Sequence, residues 1–342
     1  MNPWLLEKFK IWFQTFCVFF AWFINAVSIF LIIDKSPKKM GNYRHLMVYF
    51  CSFSLFFATL DVIVQPYIHT YKSAFFMVFD YKKSGYPKWL AEILICSMCG
   101  CFGTTIYGIA VHFIYRLFAL ERKGRLRFFQ EQYLFFWFLI PFLGGAAWFS
   151  ICFTVFSMDP LKTEYIRQTV HDFFGMNIDD CAYAGAAFYP FDKNGTRIVS
   201  ERSFIGFGLF LGVMTIPFII VILTGGKSYL IIKALLKQGD TRFSKNLQMQ
   251  LYKALVAQTI IPIFLLFIPF GTIFILPIFE IDCQFLSIPI TFIYALYPAV
   301  DPLPTLFYVD YYRNSIAEFF NGFCGCKPAR VGVYEEESSN RI

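Results

Sequence analysis

The chain contains little charge for its length, and this shortage decides its class. Only 15% of its 342 residues are Asp, Glu, Lys or Arg, whereas soluble domains carry about 25%. Hydrophobic residues make up 57%, and 46 residues are Phe. A soluble globule of this composition would lack the charge that its surface needs, and the same numbers exclude a disordered chain, a coiled coil and a basic nucleic-acid module. The sequence therefore predicts an integral membrane protein.

The sequence also lacks the motifs of an enzyme or of a metal protein. Its ten cysteines form no paired CxxC…CxxC set and no compact disulfide framework. The loops hold no His/Asp or Cys/His set at catalytic spacing, and no phosphate-binding loop is present. We therefore expect no cofactor and no metal, and an enzyme is the weakest function class.

Seven apolar runs are long enough to cross a membrane, because a helix needs about 20 apolar residues to span the hydrocarbon layer. The runs cover residues 11–33, 46–68, 90–120, 133–157, 203–226, 254–279 and 284–309. The sequence thus predicts an all-α bundle of seven spans within one domain, 1–323. Apolar residues at 3–4-residue spacing predict a short amphipathic helix over 310–323, lying on the membrane surface. The tail 324–342 is polar and expected to be disordered.

The distribution of basic residues predicts the orientation of the bundle. The loops after spans one, three and five carry 14 Lys or Arg and four acids, whereas the other loops carry nine and ten. The positive-inside rule places the first set in the cytoplasm, with the N-terminus outside and the C-terminus inside. The Asn194-Gly195-Thr196 sequon lies on the predicted outer side and is a candidate glycosylation site at Asn194.

Four stretches of sequence carry a resemblance to a known family. They are KMGNYRHLM at 39–47, VHFIYR at 111–116, QLYKALVAQTIIP at 250–262 and YPAVDPL at 297–303. In this order and spacing they resemble the nematode seven-transmembrane chemoreceptors of the Str type. The resemblance implies a G-protein-coupled receptor of sensory neurons, on the cilium, that responds to an environmental chemical. Its partners would be a small-molecule odorant, a heterotrimeric G protein and membrane lipid, with no nucleic acid.

The broader rhodopsin-like pattern does not fit. Tyr115 stands where that pattern has an acid before the arginine of span three, and Lys253 begins span six where an acid could lock Arg116. No Trp precedes Pro262 at one or two residues. The inactive-state ionic lock of rhodopsin-like receptors is therefore not carried over to this chain.

Charges inside the spans need a reason, because a charged residue at a helix centre costs about 2.5–3.5 kcal/mol on insertion scales. Arg116 lies near the cytoplasmic end of span three, where it could reach the headgroups; the resemblance implies instead that Tyr115 and Arg116 contact the G protein. Asp301 is too deep to reach the headgroups. With Pro302 it resembles the Asn/Asp-Pro switch element of receptor helix seven, the alternative being a static polar bond to a neighbouring helix.

The ligand pocket is expected in the outer half of the bundle. Asp61 could hold a cation, line a water-filled cavity, touch the ligand or make a structural hydrogen bond. His112 is interpreted as a packed histidine bonded to a neighbour, the alternative being a proton sensor. A pocket with a few hydroxyls among many Phe side chains suits a small volatile or lipid-like ligand. By depth along the spans, the other candidates are Cys99, Thr104, Tyr107, Thr272, Thr291 and Tyr294.

Several cysteines are candidates for covalent roles. Cys96 near the outer end of span three and Cys181 in the long outer loop could form a disulfide; alternatively Cys283 is the partner, or Cys96 is free. Cys324 and Cys326 follow the amphipathic helix, where palmitoylation is geometrically sensible.

Two other function classes remain open. A transporter would also need buried Asp61, Asp301 and Arg116, although the odd number of spans and the absence of an internal repeat disfavour it. A ligand-gated channel of the insect odorant type would have seven spans but a cytoplasmic N-terminus, which is opposite to the charge distribution.

Overall fold

Seven helical spans build the bundle. The computed structural model describes residues 3–37, 40–121, 124–192, 194–237, 242–281 and 283–323. Seven of its helical segments have the length and apolarity of membrane spans, so the predicted count is confirmed. The helices are α1 Pro3–Lys35, α2 Tyr43–Val64, α3 Lys88–Glu121, α4 Glu131–Thr154, α5 Pro160–Phe174, α6 Glu201–Lys237, α7 Arg242–Pro262, α8 Ile268–Ile275, α9 Ser287–Val300, α10 Leu303–Tyr308 and α11 Asp310–Phe323.

The sixth and seventh spans are each built from two helices, and prolines explain both interruptions. Between α7 and α8 the residues Ile263–Phe267 form a π-helical turn, flanked by Pro262 and Pro269. Proline has no N–H for the helical ladder, so the chain changes its pitch there. Span seven is interrupted at Asp301-Pro302, between α9 and α10. The amphipathic segment predicted over 310–323 is α11.

A three-stranded antiparallel sheet, which the all-α prediction did not include, covers one end of the bundle. Its strands are β1 Tyr67–Tyr71, β2 Ala74–Asp80 and β3 Cys181–Ala187, in that order. We call this end the sheet end, and the opposite end, at the C-terminus of α3, the Arg116 end. Because the chain leaves α2 at Val64 to enter the sheet, the second span is shorter than the predicted 46–68.

Helix α5 packs on the outer face of the sheet, so both faces of the sheet are buried. Asp159 caps the helix by accepting a hydrogen bond from Lys162 N at 2.8 Å, and Gly175 ends it at φ 68°. Its apolar residues Ile166, Val170 and Phe174 recur every four residues and face the strands. The sheet and α5 together form a two-layer cap.

Lys162 fixes this cap to the bundle. Its ammonium pairs with Asp159 at 3.1 Å and donates hydrogen bonds to the carbonyls of Ser157, after α4, and of Gly185 in β3. Burial lowers the pKa of Lys162, and the neighbouring carboxylate opposes that shift. The Lys162 ammonium therefore links the start of α5 to the segment after α4 and to strand β3.

The side chains of β3 alternate between the two faces of the sheet, and this alternation argues against the predicted Cys96–Cys181 disulfide. Cys181 and Tyr183 face α5, whereas Ala182 and Ala184 face the bundle core that contains Cys96. Both cysteines are free thiols in the structure, and the Sγ of the alternative partner Cys283 lies 3.4 Å from Thr70 Oγ1. Burial raises the pKa of the Cys181 thiol to about 12, and its Sγ donates to the carbonyl of Asn177. The disulfide prediction is therefore wrong for this structure, because Cys96 and Cys181 lie on opposite faces of the sheet.

Glycines bring α3 and α4 into close contact. A Cβ atom at Gly145 would lie 2.0 Å from Thr104 Oγ1 and 2.9 Å from the carbonyl oxygen of Gly100. A Cβ atom at Gly103 would lie 2.5 Å from Cδ1 of Trp148. Small residues commonly allow such approaches between membrane helices, where packing rather than the hydrophobic effect holds helices together.

We expect Gly145→Ala to destabilise the protein, because its new methyl group overlaps Thr104 and separates the two helices. Overpacking of this kind costs about 1–3 kcal/mol, which a thermal melt of the purified protein in detergent would detect. Gly212→Ala is the matched control, since no atom lies within 4 Å of its added Cβ. Equal melting temperatures for the two variants would contradict the close packing described here.

Candidate functional site

A small apolar cavity lies inside the bundle directly beneath the sheet. Its volume is about 40 Å³, enough for more than one water molecule but not for a large ligand without side-chain movement. Phe75, Met77 and Ala184 of the sheet form its roof. The walls come from five spans, the third to the seventh, and include Cys99, Phe102, Trp148, Cys152, Phe210, Phe270, Phe274 and Tyr294. The cap therefore closes the cavity on the side of the sheet end.

Two of the seven residues predicted for the pocket, Cys99 and Tyr294, line this cavity. The Tyr294 hydroxyl donates to the carbonyl of Met98 at 2.8 Å. The other residues lie at a suitable depth but direct their polar atoms elsewhere. Thr104 and Thr272 donate to carbonyls of their own helices, Tyr107 donates to Val213 O at 2.9 Å, and Thr291 accepts from Ile68 N at 3.1 Å.

The seventh candidate, Asp61, faces α1 rather than the cavity. Its Oδ2 accepts a hydrogen bond from Gln14 Nε2 at 3.1 Å, and its carboxyl group is 3% exposed. The nearby Lys10 ammonium donates to Gln65 O and lies 3.2 Å from the centre of the Tyr67 ring. Asp61 therefore belongs to a buried polar group that joins the first two spans, as in the structural interpretation.

The sequence predicts Phe side chains in the pocket but does not single out the aromatic residues that shape it, above all Trp148. Its indole stacks on Phe210 with ring centres 4.2 Å apart, and it also contacts Phe102. Trp148 is 2% exposed, and its Nε1 has no hydrogen-bond partner in the part of the chain that the structure describes. A tryptophan well inside a span was the available signal, because its N–H needs a partner when buried.

Below the cavity, Asp301 lies in a layer of polar side chains. Its Oδ1 accepts from the Tyr297 hydroxyl at 2.9 Å, and its carbonyl accepts from Gln258 Nε2 of α7 at 3.2 Å. Asn25 of α1 donates to the carbonyl of Pro298 at 3.0 Å. The break at Pro302 thus sits where spans one, six and seven meet through hydrogen bonds.

Arg116 lies at the far end of α3 and is 2% exposed. Its guanidinium packs over the Tyr43 ring at 4.0 Å, and its Nη1 donates to Gln248 Oε1 of α7 at 2.9 Å. Among the described residues it pairs with no carboxylate, and its Nε and Nη2 have no hydrogen-bond partner. A snorkelling position is thus wrong: the charge is enclosed between α2, α3 and α7.

The neighbours of Arg116 have different roles. Tyr115 accepts from Tyr43 N at 3.1 Å and donates to Met40 O at 3.2 Å, so it joins α3 to the start of α2. His112 lies 3.2 Å from the Tyr43 hydroxyl and packs against Phe50. This agrees with the interpretation of a packed histidine.

Two further polar links hold the helices together at the Arg116 end. Glu121 at the end of α3 pairs with Lys227 of α6 at 2.5 Å. Gln250 of α7 accepts a hydrogen bond from Asp310 N at 3.1 Å, and its amide donates to the Asp310 carboxylate. The ends of α3, α6, α7 and α11 are therefore connected, although Tyr115 stands where rhodopsin-like receptors have the acid before the arginine of span three.

The comparisons with known proteins identify the family. The family model of the serpentine-type 7TM GPCR chemoreceptors, Str, matches residues 10–317. This chain belongs to the Str family. It is 30% identical to serpentine receptor class r-10 of Caenorhabditis briggsae over 96% of this chain and 92% of that one. It is 31% identical to G-protein coupled receptor str-217 of Caenorhabditis elegans, over 93% and 91% of the two chains.

The family assignment narrows the function classes. Str proteins are nematode seven-transmembrane chemoreceptors, receptors rather than enzymes, and they are multi-pass membrane proteins. In this Str receptor, the candidate glycosylation site Asn194 is exposed in a turn at the sheet end. The candidate palmitoylation sites Cys324 and Cys326, and the tail predicted to be disordered, lie outside the described residues.

We expect Tyr297→Phe to destabilise this receptor, because it removes a buried donor from the Asp301 carboxyl group. An unsatisfied buried acceptor costs about 1–3 kcal/mol, measurable as a lower melting temperature in detergent. Tyr308→Phe, at a side chain that is 45% exposed, is the matched control. A melt that Tyr297→Phe leaves unchanged would show that the Tyr297–Asp301 bond does not stabilise the bundle.

Proposed function

We propose that this Str receptor binds a small environmental chemical in the cavity beneath the sheet and activates a heterotrimeric G protein at its Arg116 end. The observation that carries the proposal is the state of Arg116. A buried cation whose Nε and Nη2 have no hydrogen-bond partner among the described residues is costly, more so than a neutral group. An acceptor on a docked partner would recover that cost, and the resemblance to receptors assigns such a partner to this position.

The cavity supports a small and mostly apolar ligand. Its volume is about 40 Å³, and aromatic and aliphatic side chains dominate its surface. Apolar walls with few polar groups are typical of sites that bind small apolar molecules. Cys99 and Tyr294 are the predicted pocket residues that we retain as ligand contacts, and Phe102, Trp148 and Phe270 are added to them.

The route from the cavity to Arg116 of span three runs through spans seven and six. Tyr294 lines the cavity, and Tyr297, about one turn further along α9, holds Asp301. Asp301 in turn accepts from Gln258 of α7, the helix whose Gln248 bonds Arg116. We assign the break at Asp301-Pro302 as the switch, because a helix interruption lets the following segment move as a unit.

The charge distribution supports an orientation with the sheet end outside the cell. The loops at the Arg116 end carry 14 of the basic loop residues and four acids, which favours the cytoplasm. In this orientation Asn194 is accessible for glycosylation, and the tail with Cys324 and Cys326 is accessible for palmitoylation. Family membership further suggests olfactory neurons and their ciliary membrane as the location.

Epitope tags at the two termini test the orientation. On intact cells we expect an antibody to label the N-terminal tag alone, and to label the C-terminal tag only after permeabilisation. Treatment with an N-glycosidase should lower the apparent mass of the wild type but not of Asn194→Gln. The reverse tag pattern is the one expected of an insect-type channel and would contradict the receptor proposal.

Substitutions at the Arg116–Gln248 contact test the coupling. Because Arg116 is 2% exposed and bonded to α7, a partner can reach it only after α7 moves. We expect Arg116→Ala to abolish ligand-evoked, G-protein-dependent signalling at normal surface expression. Gln248→Ala, which releases the same guanidinium without removing it, should retain signalling and raise its basal level.

The two variants together separate coupling from folding. Surface labelling of both variants provides the folding control. Undiminished signalling by Arg116→Ala would remove Arg116 from the mechanism. Loss of signalling in both variants at normal expression would show that the Arg116–Gln248 hydrogen bond itself is required, contrary to its proposed role as a closing contact.

A further inference from the structure

One residue of the cavity wall has a polar group that makes no hydrogen bond within the described residues. Trp148 lines the cavity and is 2% exposed, yet its Nε1 has no hydrogen-bond partner in the described part of the chain. The Tyr294 hydroxyl, in contrast, already donates to Met98 O at 2.8 Å. Buried indole N–H groups normally have a partner, so this donor requires an explanation.

The packing around Trp148 keeps the indole from turning towards another acceptor. Its ring is nearly parallel to Phe210, with an interplanar angle of 19°. Gly103 leaves so little room that an added Cβ would lie 2.5 Å from Cδ1 of the indole. Since interiors are close-packed and side chains are held in their rotamers, the indole keeps its place in the cavity wall.

We propose that Trp148 Nε1 donates a hydrogen bond to the bound ligand and thereby selects its chemical class. The ligand is then a small apolar molecule that carries a hydrogen-bond acceptor, such as a ketone, an ester, an ether or an aromatic nitrogen heterocycle. The inference rests on the proposed function of the cavity as the ligand site. A site built to hydrogen-bond its ligand rejects an analogue that lacks the group, because the buried donor is then left unpaired.

Isosteric pairs of volatiles test this selection on cells that express the full chain with a G protein. Each pair differs in the acceptor alone: 2-butanone and 2-methyl-1-butene, diethyl ether and pentane, pyridine and benzene. For the wild type we expect the acceptor member of an active pair to be about five- to tenfold more potent, the ratio of one neutral hydrogen bond. This comparison requires no substitution and so does not depend on the folding of a variant.

Trp148→Phe then attributes the preference to the indole. We expect the potency ratio within an active pair to fall to about one, whatever the change in the absolute potencies of its two members. The matched control is Trp137→Phe: Trp137 Nε1 donates to Phe128 O at 2.7 Å, away from the cavity, and the ratio should stay at its wild-type value. Surface labelling accompanies each variant.

The outcomes separate this inference from the function on which it rests. Equal potencies within active pairs in the wild type, or a ratio that Trp148→Phe leaves unchanged, overturn the hydrogen bond but leave the receptor function standing. A chain that reaches the surface and responds to no pair contradicts the proposed function, and with it this inference.

Discussion

Inside a bilayer, a polar group without a protein partner has no water to replace that partner, and this constraint shapes the whole structure. Asn25 donates to two carbonyls, Gln14 donates to the Asp61 carboxylate, and Lys10 donates to the carbonyl of Gln65. Even so, Arg116 and Trp148 each retain a buried N–H donor that has no hydrogen-bond partner among the described residues. The two side chains lie towards opposite ends of the bundle. Arg116 is enclosed by helices at the Arg116 end, and Trp148 lies in the cavity wall beneath the sheet.

The polar layer around Asp301 lies between these two donors. It is reached from the cavity through Tyr294 and Tyr297 and from the Arg116 end through Gln248 and Gln258, which lie on one helix. Hydrogen bonds of this kind have alternative arrangements, whereas the α3–α4 contact is fixed by glycine packing. In the proposed mechanism, a change at the cavity shifts the polar layer while the α3–α4 pair remains in place, as a ligand-driven switch requires.

The sequence was sufficient for the spans but not for the cap. Uncharged runs predict membrane helices because the hydrocarbon core excludes charge over a fixed length. Strand β2, however, is apolar at nearly every position, since one face lies on the bundle and the other on α5. A strand that is buried on both faces lacks the alternation of apolar and polar residues by which strands are recognised. The sequence therefore does not distinguish this segment from a loop.

The depth of the site residues along the spans was predictable from the sequence, but the direction of their side chains was not. Cys99 and Tyr294 line the cavity, whereas Thr104 and Tyr107 lie on the same helix as Cys99 and point to α4 or α6. Because α3 is buried on almost every side, its sequence has no apolar stripe from which its rotation could be read. The sequence does not distinguish Trp148 from the many other aromatic residues, because only the packing shows that its N–H lacks a partner among the described residues.

A native cysteine allows the central claim, that the ligand occupies the cavity beneath the sheet, to be tested directly. Cys99 lines the cavity and is partly exposed, so S-methyl methanethiosulfonate should add a methylthio group there, with mass spectrometry reporting the modification. We expect this treatment to abolish the response to an active volatile in the wild type and to spare the response of Cys99→Ser. A full wild-type response after complete modification of Cys99 would contradict the account.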